Sequence, residues 1–295
     1  MTPRERGFLL LTGYLGDPER KPLTIAQFRD LARRMRMMEK PVDTRDLCPE
    51  DLLSIGCSRE SAARILRLLS QEEHLEYYLQ EGKRHGCHPI TRISDGYPVQ
   101  LRRMLGLDAP GVLWARGDRS LLEKPAIALV GSRDLAQENY DFAYEVGKQA
   151  ALQGYTLISG NARGADRTAQ QSCLDHGGNV ISIVADELHK QPWQDNLLYL
   201  SKTGFDLEFT AYRALDRNTV IHAFGSRTFV AQCRLGKGGT WDGVKNNLRK
   251  DYTPVFCFRD GTAAMWELEQ MGARLIDMAA LQNISALQSN TLNFL

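Results

Sequence analysis

The feature that most constrains this chain is a change of hydrophobic period partway along it. From Ala126 onward, short apolar runs alternate with longer amphipathic stretches. The runs cover residues 126–130, 155–158, 180–184, 207–210, 228–231, 255–258 and 274–276. They are strand-length, and several are apolar at nearly every position, as strands buried on both faces must be. The stretches between them, such as 139–152 and 163–175, are long enough for helices. Alternating strand and helix signals predict an α/β architecture with a mostly parallel sheet covered on both faces. Right-handed crossovers make such a sheet doubly wound. Its ligands bind outside the carboxyl ends of the strands.

The first 88 residues carry a different pattern. Thr24 and Gln27 have capping-box spacing, and Ile25, Phe28, Leu31, Ala32 and Met35 follow at helical intervals. Leu52, Leu53 and Ile55 lead to Gly56, and Ser58 can cap a helix with Ala62, Ile65, Leu66 and Leu69 on one face. A further helical stretch, 71–84, runs to Gly86 and Pro89. The expected organisation is a small all-helical domain over 1–88 and an α/β domain over 89–295, joined in the extended segment around Cys87 to Asp95. Neither an internal repeat nor a low-complexity tract interrupts this plan.

Composition narrows the class of function. Hydrophobic residues are 43% and charged residues 25%, enough for a sizeable core, and the net charge is only +1. A nucleic-acid site would therefore be a local basic patch. The six cysteines are scattered without a paired spacing, which suits reduced thiols rather than a disulfide framework. His85, Cys87 and His88 lack a second ligand pair, so no metal is expected. The apolar stretch Phe8 to Leu11 is too short for a signal sequence, and no segment has the ~18 apolar residues of a membrane span. A cytoplasmic protein is expected.

Chemistry concentrates in loops at strand carboxyl ends. The first is Gly131-Ser132-Arg133. Glycine allows close backbone approach, exposed N–H groups bind anions, and arginine grips phosphate with two prongs. A tight turn bearing a surface arginine is the plainer reading. The second is Ser159-Gly160-Asn161-Ala162-Arg163-Gly164-Ala165-Asp166, which opens a helix and can present that helix's N-terminus to a phosphate. Asp166 there also suits a helix-start role. The third, Gly236-Lys237-Gly238-Gly239-Thr240, is suited to phosphate oxygens but lacks the residue order of a P-loop. A dinucleotide fingerprint is missing after the first strand, and no cofactor is expected.

Together these pieces resemble the DprA/Smf family of DNA-processing proteins over about 180 residues. Tyr97-Pro98, Leu101, Leu105, Ala109-Pro110, Leu113 and Gly117 are similar to the family's lead-in to the sheet. Gly131-Ser132-Arg133 matches its Gly-[Ser/Thr]-Arg loop. Ser159, Gly160, Ala162, Gly164 and Asp166 match its Ser-Gly-x-Ala-x-Gly-Ile-Asp signature, with Ala165 in place of Ile. Arg217-Asn218, then Val220 and Ile221, resemble its Arg-Asn-Arg-Ile-Ile helix start. Departures mark a divergent member. Gln170 stands where the family has His, Thr219 replaces the second Arg, and Gln232 replaces an acidic residue. The residues up to Leu295 do not resemble the family's basic winged-helix tail, so no site residue is expected from one.

The resemblance implies a Rossmann-like core preceded by a helix-hairpin-helix-like domain. It also implies binding of single-stranded DNA, a homodimer, and help in loading RecA during natural transformation. By carry-over, Gly131, Ser132 and Arg133 would contact a phosphate. Ser159, Gly160, Ala162 and Gly164, with Asp166, would shape the pocket. Arg163, Arg217 with Asn218, and Lys237 with Gly238, Gly239 and Thr240 would complete the site. The Gly56 hairpin and Arg33, Arg34 and Arg36 could add phosphate contacts, or be a packed helical cap with a solvated face. Two other functions share these loops: a sensor of free nucleotide, and a phosphoribohydrolase. The hydrolase's loop is Pro-Gly-Gly-x-Gly-Thr-x-x-Glu, whereas Gly239-Thr240 is followed here by Trp241, Asp242 and Gly243.

Overall fold

The computed structural model describes residues 1–38 and 47–287. Five helices come first: α1 (Pro3–Thr12), α2 (Ile25–Met35), α3 (Pro49–Ser54), α4 (Arg59–Leu69) and α5 (Glu72–Arg84). Thr2 and Thr24 open α1 and α2 with reciprocal capping boxes to Glu5 and Gln27. Arg20, which no sequence pattern singles out, is buried among these helices. It donates to the carbonyls of Gly13, Leu10 and Leu68 and to Gln71, so one cation serves the free carbonyl ends of α1 and α4. Gly56 turns the α3–α4 hairpin at φ 81°. There Arg34 donates to the Gly56 carbonyl at 2.6 Å, while Arg33 and Arg34 both pair with Asp30.

The sheet part follows as β1 (His88–Thr91), α6 (Val99–Leu105), β2 (Val112–Gly117), β3 (Ala126–Val130), α7 (Gln137–Leu152), β4 (Thr156–Ser159), α8 (Ala165–Asp175) and β5 (Asn179–Ile183). It continues as β6 (Leu197–Ser201), α9 (Ala211–Phe224), β7 (Thr228–Val230), α10 (Gly239–Lys250), β8 (Val255–Phe258), α11 (Ala263–Gln270) and β9 (Arg274–Ile276). The nine strands make one sheet in the order β1-β2-β6-β5-β4-β3-β7-β8-β9. All pairings from β6 to β9 are parallel, and β1 and β2 add an antiparallel edge. The result is the α/β, Rossmann-like, mostly parallel fold. Among the described residues no helix is long and apolar enough to cross a membrane.

Strand alternation sorts side chains into two buried layers. Ile127 and Leu129 of β3 face a cluster with Phe142 and Val146 of α7, Ala169 and Cys173 of α8, and also Phe8, Leu52, Leu75 and Tyr78 of the N-terminal helices. Ala126, Ala128 and Val130 face the opposite cluster, with Leu101 of α6, Val220 of α9, Val244 of α10 and Met265 of α11. Helices α7 and α8 cross tightly at Gly147, where a Cβ would lie 2.1 Å from the Ala169 carbonyl oxygen.

Two expectations about elements need correction. Residues 207–210 are not a strand. The strand is Leu197–Ser201, and Thr210 instead caps α9, its side chain accepting from the Arg213 N–H at 3.1 Å. Leu207 to Thr210 have no regular structure and are partly or fully exposed, whereas Leu197 to Ser201 are buried at every position. Likewise Arg217 and Asn218 do not start a helix: α9 begins at Ala211, which carries Arg217 two turns inward.

The order of strands locates the ligand edge. From β3 the chain steps outward through β4, β5 and β6, then crosses back to place β7 on the other flank of β3. Loops after β3 and β7 therefore leave the sheet toward opposite faces, opening a crevice at the carboxyl ends of the strands.

Candidate nucleic-acid interface

The three glycine-containing loops meet in this crevice and are bonded to one another. The Ser132 N–H donates to the Gln232 carbonyl at 2.8 Å, and the Ala165 N–H donates to the Ser132 carbonyl at 3.1 Å. Thr240 Oγ1 donates to the Gly131 carbonyl at 2.9 Å, and Asn218 Nδ2 to the Gly239 carbonyl at 3.0 Å. Gln232 Oε1 accepts from the Ala136 N–H at 3.0 Å, tying the loop after β7 to the start of α7.

Two glycines are required by this closeness. A Cβ on Gly131 would lie 2.4 Å from the Cβ of Ala165. Gly164 has φ 84°, and its Cβ would lie 2.5 Å from the carbonyl oxygens of both Ser132 and Arg133. The backbone of the second loop is thus seated directly on that of the first.

Beneath the second loop lie two buried charges. Asp166 Oδ2 accepts from the N–H groups of Gly160, at 3.1 Å, and Ala162, at 3.2 Å. Burial pushes its carboxyl up, opposed by Arg217, by those two N–H groups and by Arg133. Arg217 donates through Nη1 to the Gly160 carbonyl and, at 2.6 Å, to the Ile183 carbonyl. Burial lowers its pKa, while Asp166 and Asp186 raise it. The two charges face each other across Gly160, whose Cβ would meet Arg217 Nη2 at 2.7 Å and Asp166 Oδ2 at 2.8 Å. This corrects the expectation that both groups face a ligand: they hold the loop from below. Ser159 is also internal, its hydroxyl accepting from Gln170 Nε2 at 3.1 Å. Gln170, at the family's His position, bridges Ser159 and Ser182.

The outer surface belongs to other residues. Arg133, Arg163, Lys237 and Gly238 are exposed, and Gly131, Ser132, Ala162, Gly164, Asn218, Gly239 and Thr240 are partly so. Arg163 pairs with Asp134 at 2.5 Å, and Arg234 approaches the same carboxylate at 3.8 Å. Arg234 and Lys237 form an isolated antiparallel bridge, so they stand side by side. The field of Arg133 is felt at both Asp166 and Arg217. Arg133, Arg163, Arg234 and Lys237 thus rim one edge. Arg234 and its neighbour Asp134 escape a motif search because they belong to no recognisable pattern; only the position of Arg234 in a loop after a strand hinted at it.

Comparison with known proteins agrees with this architecture. The family model described as DNA recombination-mediator protein A matches residues 88–281. The chain is 29% identical over 214 residues to the DNA processing protein DprA of Bacillus subtilis, covering 64% of this chain and 71% of that protein. It is 27% identical over 156 residues to the DprA of Streptococcus pneumoniae, covering 50% of this chain and 54% of that one. The chain thus spans about half the length of the pneumococcal relative. In structure it is similar to the pneumococcal DprA, with a TM-score of 0.75, 20% identity, and coverage of 98% and 99% of the two chains. A structure of DNA processing protein A from Helicobacter pylori, described in terms of its single-stranded DNA binding mode, has a TM-score of 0.56 and 20% identity, covering 67% of this chain and 94% of that one. With the family model matched across both the glycine loops and the sheet that positions them, this chain belongs to the DNA recombination-mediator protein A family.

Proposed function

We propose that the protein binds single-stranded DNA along the carboxyl edge of its sheet, with Arg133, Arg163, Arg234 and Lys237 gripping the phosphates of the strand. The observation that carries this reading is the set of cross-bonds between the three loops. Ser132 to Gln232, Ala165 to Ser132 and Thr240 to Gly131 hold four exposed cations on one braced rim. Their order on that rim is paid for in folding, so a phosphate chain meets a preformed site. Gly131, Ser132 and Ala162 supply backbone approach, and Gly238, Gly239 and Thr240 form the start of α10, where a helix dipole favours an anion.

Aromatic groups lie at the same edge. Phe209, just before α9, and Tyr212, in its first turn, are exposed. Leu215, one turn on, is the neighbour that a Cβ on Gly239 would meet at 3.0 Å. Bases that project from phosphates on the rim have these rings to stack on, without sequence readout. Family membership supports the rest of the reading: a homodimer that helps load a RecA-type recombinase. Binding rather than hydrolysis is favoured by where the carboxylates lie. Asp166 is committed to two N–H groups, and Asp242 lines a cavity with Lys245 and Arg249 of α10 and Met271 at the end of α11.

The test is titration of a labelled oligo-dT at several salt concentrations. Affinity should fall steeply between about 50 and 200 mM salt, and Arg133→Ala should weaken binding and flatten the slope by about one counterion. Salt-independent affinity, or an Arg133→Ala variant that binds like the parent, sinks the reading. Release of free base from AMP, abolished by Asp242→Asn, would replace it with the enzymatic one.

A further inference from the structure

The rim contains one group of the wrong sign. Asp134 directly follows Arg133, and its two carboxylate oxygens point at different cations. Oδ1 is 2.5 Å from Arg163 Nη2, and Oδ2 is 3.8 Å from Arg234 Nη2. These arginines come from separate loops, after β4 and β7, so the carboxylate bridges across the crevice mouth. We propose that Asp134 is a built-in counter-anion, standing where a phosphate of the bound strand would sit between Arg163 and Arg234, and so sets the affinity of the site. This inference rests on the single-stranded DNA reading above.

Carboxylate and phosphate oxygens offer guanidinium the same geometry, so one can replace the other. The exchange is easy because the groups are open to water: the side chains of Asp134, Arg163 and Arg234 are 64%, 74% and 74% exposed. Ion pairs that exposed contribute little net free energy, so the arginines are released readily. The backbone of Asp134 is tethered, so its carboxylate stays within one short side chain's reach of the rim. The Asp134 N–H donates to Ser132 Oγ at 3.3 Å, in the loop held to both neighbours by the Ser132 and Ala165 hydrogen bonds. After exchange the displaced carboxylate therefore stays close to the phosphate and repels it. Arg133 and Lys237, which take part in no ion pair among the described residues, carry no such handicap.

The experiment compares the parent protein, Asp134→Asn and Arg133→Ala on one oligo-dT, with thermal melts to confirm equal folding. Asp134→Asn should tighten binding about fourfold at low salt, from loss of one like charge about 5 Å from a phosphate. The gain should shrink as salt screens the rim. If Arg133→Ala weakens binding while Asp134→Asn leaves it unchanged or weaker, Asp134 aligns the arginines or is inert, and the counter-anion proposal is overturned alone. Should neither substitution change affinity, the strand does not lie on this rim, and the underlying reading falls with it.

Discussion

Replacing Arg217 by methionine should disable the site from inside, although Arg217 is only 8% exposed. Methionine keeps much of the volume but removes the cation opposite Asp166 and the donor to the carbonyls of Gly160 and Ile183. A buried carboxylate is then left without its compensating charge, a change that costs about 3–5 kcal/mol in comparable buried pairs. Each stranded carbonyl adds up to about 1–3 kcal/mol where water cannot reach it, and these costs overlap rather than add. A loss of about 4 kcal/mol is expected from urea unfolding followed by tryptophan fluorescence. The second loop should lose its shape, and oligo-dT affinity should drop with it. The decisive comparison is a double-mutant cycle with Asp166→Asn. The new amide oxygen can still accept from Gly160 and Ala162 but carries no charge, so Arg217→Met should cost about 2 kcal/mol less in that background. There is also a pH signature. Losing Arg217 pushes the Asp166 carboxyl further up. A carboxyl whose folded pKa lies above its unfolded value disfavours folding at high pH and recovers as pH falls through the folded value. The gap between parent and Arg217→Met should therefore narrow on acidification. Equal costs of Arg217→Met in the parent and in the Asp166→Asn background, or a cost under about 1 kcal/mol, would refute the buried charge pair as the brace of this loop.

The other predictions concern the scaffold. His222 is fully buried and in reach of Asn247 and Thr228, and burial holds its pKa down to about 4 against an ordinary 6.5. Unfolding lets it take up a proton, so its contribution is complete above pH 6.5 and is lost as pH falls toward 4. That amounts to about 3 kcal/mol, and His222→Gln should remove that component from a pH series of urea midpoints; an identical pH slope in the variant would argue against it. Gly147→Ala should cost at least about 2 kcal/mol, because its Cβ would meet a carbonyl oxygen rather than a movable side chain. A thermal melt within about a degree of the parent would show that α7 and α8 can separate without cost.

Legibility in the sequence followed how local the signal was. The runs at Ala126–Val130 and Val255–Phe258 appear as strands because continuous apolar residues bounded by turns leave few options. The run at 207–210 misled for the same reason: length and apolarity do not say whether a segment is hydrogen-bonded in a sheet or lies outside it. What decides is the neighbouring strand, and Leu197–Ser201 had already taken that place between β2 and β5. The N-terminal caps at Thr24 and Ser58 were readable because capping is an interaction over three residues.

The amino-acid sequence alone determined the layered α/β plan, the three glycine loops and the family they belong to, since all of these depend on residues close together along the chain. The tertiary structure alone decided which charges face outward. Arg217 looked like a ligand group and is a buried brace, while Arg234 and Asp134 carried no motif and stand on the rim. The reason is physical: whether a cation meets solvent or a carbonyl depends on the strand order that brings β3, β4 and β7 together, and that contact is made between residues as much as 109 positions apart.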